Sequence, residues 1–66
     1  MPDPNVTEAR LSSVATTLDE LTRRVVEIAD GYAGTPDDFL ARDLYDVERS
    51  LGAASRKLAT VLKLLR

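Results

Sequence analysis

The chain is predicted to be all-α: a two-helix antiparallel hairpin, coiled-coil-like, that dimerises into a four-helix bundle. Three observations predict this. Two long apolar stripes run at alternating steps of three and four, one Gly/Pro-marked break separates them, and the chain is too short to bury a full core. As a single domain over residues 1–66, it divides into a first helix at about 4–31, a turn at about 32–35 and a second helix at about 36–65.

The first helix is expected to open on Asp3 as cap, with Pro4 at the first helical position, where its missing N–H costs nothing. Leu11, Val14, Leu18, Leu21, Val25, Ile28 and Tyr32 then follow at three–four spacing, the pattern of a helix seam. The run Asp30-Gly31-Tyr32-Ala33-Gly34-Thr35-Pro36 breaks it, and Gly31 or Gly34 is the expected left-handed residue closing the helix. Thr35 reads as the N-cap of the second helix, with Pro36 at its first position. Asp38 would reach back as in a capping box, and Asp37 and Asp38 suit the positive end of the helix dipole.

The second helix carries a matching stripe: Leu40, Leu44, Val47, Leu51, Ala54, Leu58, Val61 and Leu65. So short a connection makes the two helices antiparallel neighbours. Folding back about the turn predicts Ile28 near Leu40, Leu18 near Leu51 and Leu11 near Leu58. Tyr32 would cap this seam at the loop end, with Phe39 beside it.

A second stripe lies next to the first. Ala15, Thr22 and Val26 on one helix, and Tyr45, Gly52, Ser55, Ala59 and Leu62 on the other, are mostly small or weakly polar, and they form the expected self-association face. Glycine inside a helix costs about 1 kcal/mol relative to alanine, so Gly52 points to close approach of another helix. The sequence holds no Cys and no His, which removes disulfides and the commonest metal ligands as staples for so small a domain. Association remains, and a homodimer is its commonest form.

Nine basic and eleven acidic residues leave a net charge of −2, with no overall bias toward nucleic acid or anionic membrane. Asp19–Arg23, Glu20–Arg24, Asp38–Arg42 and Arg42–Asp46 are spaced as surface ion pairs on a helix. The second helix is polarised, with Asp37, Asp38, Asp43, Asp46 and Glu48 in its first half and Arg49, Arg56, Lys57, Lys63 and Arg66 in its second. That order complements the helix dipole and favours antiparallel docking between copies. The end of the helix also offers a basic patch, Arg56, Lys57, Lys63 and Arg66, to a phosphate-bearing partner.

No catalytic, cofactor-binding or metal site is expected. The carboxylate pairs Asp43/Asp46 and Asp37/Asp38 lack the His of a di-metal bundle, and the hydroxyls of Ser12, Ser13, Thr16 and Thr17 lack a base. Gly31 and Gly34 do not have phosphate-loop spacing. The turn has no Trp-x-Gly, unlike the small helical hairpins of the WXG100 family, and the helices are too long for a DNA-binding helix-turn-helix. Met1-Pro2-Asp3-Pro4 has neither the basic start nor the apolar core of a signal peptide, so a cytoplasmic location is expected. The functional expectation is a non-enzymatic interaction or regulatory module, a homodimer that meets another protein and takes no small-molecule substrate. The alternative is a peripheral binder of anionic membrane or nucleic acid through the basic patch.

Overall fold

A computed structural model describes residues 2–65 and shows two α-helices packed against each other, α1 over Pro4–Tyr32 and α2 over Asp38–Leu64. The Cα trace measures 52 × 16 × 14 Å. Hydrogen bonds between the helices fix their sense. Tyr45 Oη donates to Asp30 Oδ1 at 2.5 Å, and Ser55 Oγ donates to Asp19 Oδ1 at 3.2 Å, so later residues of α2 meet earlier residues of α1. The helices are antiparallel. Asp19 meets Ser55, which places Leu18 farther along α2 than Leu51, its expected neighbour.

The helix ends follow local chemistry. Asp3 caps α1, its carboxylate accepting from the Asn5 N–H at 2.8 Å, with Pro4 as the first helical residue. At the other end the Ala33 N–H donates to Ala29 O, and Gly34 supplies the left-handed residue at φ 77°. Gly31 stays helical. The second helix begins two residues later than expected, because Pro36 and Asp37 belong to the turn. The capping groups are nevertheless engaged. Thr35 Oγ1 donates to Tyr32 O at 2.6 Å and accepts from the Asp37 N–H at 3.2 Å, tying the end of one helix to the start of the next. The Asp38 carboxylate reaches back to the Gly34 N–H at 2.8 Å, one residue before the N–H a capping box would use.

Two alanines make up the buried core. Ala29 is 0% exposed and Ala41 1%, and among the described residues no large side chain is fully buried. Burial divides the expected seam. Leu11, Leu18, Val25, Leu44, Leu51, Leu58 and Leu65 are half-buried, whereas Val14, Leu21, Ile28, Leu40, Val47, Ala54 and Val61 are exposed. The residues expected on the self-association face divide the other way. Ala15, Thr22, Val26, Tyr45, Gly52, Ser55 and Leu62 are half-buried within the hairpin, and of that set Ala59 is exposed.

Size and polarity account for the exchange. Small side chains let two helix backbones approach, and their polar members find partners across or along the seam. Tyr45 and Ser55 bond to α1, and the Thr22 hydroxyl donates to its own helix at Leu18 O, 2.8 Å away. Bulky Val14, Leu21 and Ile28 would hold the helices farther apart.

Surface ion pairs differ as well. Arg42 sits 3.9 Å from Asp38 as spaced, while Asp46 pairs with Arg49 in place of Arg42. Asp19 serves Ser55 instead of Arg23, and among the described residues no Glu20–Arg24 pair forms. Exposed pairs of this kind contribute about 0–1 kcal/mol each.

Gly52 does not mark a close approach of α1. A Cβ built there meets only Arg56 Nη1 at 3.6 Å, an ordinary contact, and no atom of α1. Gly52→Ala is therefore expected to stabilise the chain by up to about 1 kcal/mol through helix propensity. A gain of that size raises Tm by about 4–8 °C in a domain this small. A thermal melt followed by circular dichroism checks it, and a lowered Tm would restore a packing role for the missing side chain.

Candidate interaction face

The exposed apolar residues recur every seventh position: Val14, Leu21 and Ile28 on α1, and Leu40, Val47 and Val61 on α2, with Ala54 completing the second series. At 100° per residue each series lies about a quarter turn from the side its helix turns to the other. Because the helices run in opposite directions, both quarter turns lead to the same side of the hairpin. One broad apolar face results, its floor formed by the half-buried Leu11, Leu18, Val25, Leu44, Leu51 and Leu58. The six large side chains that stand on it are 36–55% exposed. Tyr32, 39% exposed, extends the face at the loop end and does not cap the seam, and Phe39 projects outward at 54%.

On α1 the face contains a shallow groove of about 220 Å³, lined by Ser13, Val14, Thr17, Leu18 and Leu21. Val14, Thr17, Leu18 and Leu21 stand at i, i+3, i+4 and i+7, the four corners of the hole that receives a side chain in knobs-into-holes helix packing. The next heptad position outward gives each helix a rim. It is Arg10, Thr17 and Arg24 on α1, and Asp43, Ser50 and Lys57 on α2. Among the described residues Asp43 and Lys57 have no ion-pair partner.

Electrostatics on the seam side are local. The hydrogen bond to Asp30 holds the Tyr45 phenol above its ordinary pKa, with partial burial and the acids Asp30, Glu48 and Asp38 adding to the effect. The ring therefore keeps its proton, and the cross-helix bond, throughout the neutral range.

The basic patch is divided. Arg56, Lys57 and Lys63 are exposed, and Arg66 lies outside the described residues. Arg56 and Lys63 stand seven apart on one edge of α2, while Lys57 is a quarter turn or more away, on the rim of the apolar face. Leu58 and Leu62, the apolar side of that stretch, are half-buried in the hairpin.

Among the described residues no cluster of three or more His, Cys, Asp or Glu is placed to hold a metal ion, and no helix is long and apolar enough to cross a membrane. The apolar face was missed in the sequence because its residues read as the seam. Its independent signal was the seven-residue recurrence of side chains too large for a close two-helix contact. Comparison with known proteins leaves the assignment to this geometry: no protein-family model, curated protein or solved structure matches the chain.

Proposed function

We propose that the chain is a non-enzymatic protein–protein interaction module that works as a homo-oligomeric helical bundle, scaffolding or regulating another protein. One observation carries this reading. Among its described residues the hairpin fully buries no large side chain, yet it gathers six large apolar residues on one exposed face. A contiguous apolar face of that kind marks an association surface. Two helices with so thin a core also lack the burial that stabilises a small domain alone. The surface proposed is thus the bulky face and not the small-residue stripe. Binding of anionic membrane or nucleic acid gains less support, because Lys57 is turned away from Arg56 and Lys63.

Sedimentation equilibrium tests the reading. A mass of at least twice the 7.2 kDa of one chain is expected at micromolar concentration, with little change on adding salt. A well-folded helical monomer at every concentration would overturn it.

A further inference from the structure

Resting on that reading, we propose that a second copy of this chain covers the apolar face in one particular arrangement: α1 on α1, α2 on α2, with the two loops at opposite ends of the pair. The heptad series themselves have the required symmetry. On α1, Val14 and Ile28 are equidistant from Leu21. On α2, Leu40 and Val61 are equidistant from the Ser50–Leu51 step, and so are Val47 and Ala54. The rim charges Asp43 and Lys57 are equidistant from Ser50.

The fold brings these separate centres to one level. The Asp19–Ser55 and Asp30–Tyr45 bonds, with the helix ends at Tyr32 and Asp38, place Leu21 about level with Ser50–Leu51. This allows for side chains leaning toward the N-terminus of their own helix. A two-fold axis crossing the face at that level lays Val14 over the partner's Ile28, Leu21 over the partner's Leu21, and Leu40 over the partner's Val61. The same rotation sets Asp43 beside the partner's Lys57, and Lys57 beside the partner's Asp43, two pairings that the single chain leaves unmade. The α1 groove at Val14, Thr17, Leu18 and Leu21 then lies beside the axis, where the partner's α1 supplies the inserting side chain.

The competing arrangement, with both loops at one end, stacks α1 on the partner's α2. On the register of the Asp19–Ser55 and Asp30–Tyr45 bonds it sets Lys57 beside the partner's Thr17 and Asp43 beside the partner's Gly31, so neither rim charge meets an opposite one. Rim charges of this kind choose between orientations more than they add affinity. The outline of the face, 52 Å by 16 Å in the Cα trace, is on the order of 800 Å², the area each partner buries in a stable complex.

The chain contains no cysteine, so single substitutions report contacts cleanly. Leu21→Cys places a thiol at the axis, and Ala33→Cys places one in the loop. Each variant is oxidised mildly at a concentration where the unmodified chain is dimeric, and is checked for helicity by circular dichroism. Most of the Leu21→Cys chain is expected to run at twice the monomer mass without reductant, while Ala33→Cys stays single. Crosslinking of Ala33→Cys, or its failure at Leu21→Cys, in a chain that still sediments as a dimer would overturn the arrangement and leave association standing. A monomeric mass at all concentrations would overturn both.

Discussion

Leu21→Asp is expected to leave the chain monomeric and to remove much of its helicity. Nothing in the hairpin requires Leu21, which is 44% exposed and makes no part of the seam, so a carboxylate there costs the isolated chain little. In the assembled pair the same carboxylate faces its own copy across the two-fold axis, out of water and beside a like charge. Burying an unpaired charge costs several kcal/mol, and each 1.4 kcal/mol is tenfold in Kd, so association weakens by about 100-fold or more. Helicity follows association because the hairpin alone fully buries, among its described residues, only Ala29 and Ala41. Sedimentation equilibrium and circular dichroism on one sample read both effects. A Leu21→Asp chain that stayed dimeric at the wild-type concentration would place the interface elsewhere.

Leu51→Ala is expected to lower stability by about 2–5 kcal/mol, the range for truncating a leucine in a core. Leu51 is half-buried against the hairpin seam and also floors the apolar face, so the assembled bundle covers it from two directions. A loss of that size lowers Tm by about 10 °C or more in a domain of this length. Leu64→Ala, at a residue 80% exposed, is the matching control and should leave Tm in place. If the two variants melted alike, Leu51 would have no covering partner.

Much of the fold was legible in the sequence because it depends on local rules. Asp3 and Pro4 at the start, Gly34 and Thr35 in the turn, and two uninterrupted three–four stripes define two helices with one reversal between them. What could not be read was which side of each stripe faces inward. A leucine such as Leu18 or Leu51 has bulky neighbours on one side, at Leu21 and Val47, and small ones on the other, at Thr22 and Gly52. Either side completes a heptad seam. The choice depends on backbone separation and on cross-helix bonds such as Tyr45 to Asp30, which are properties of the packed pair and not of either helix. The same holds at Gly52. Its helical penalty was visible in the sequence, but its distance from α1 was not.

The turn has a kinetic consequence. Thr35 and Asp38 close it with hydrogen bonds that span only three or four residues, so it forms without a long excursion of the chain. Local helical contacts dominate, which keeps contact order low and folding fast, and the contacts between α1 and α2 are nested around that reversal. Ala29 and Ala41 lie nearest the turn and are expected to dock first, with the Asp30–Tyr45 and Asp19–Ser55 bonds closing after them in succession like a zipper. Opening runs the other way, from the end where Pro4 and Leu64 lie. Proteases and exchanging amide protons therefore reach the chain first at its open end, and the turn is the last part to come undone.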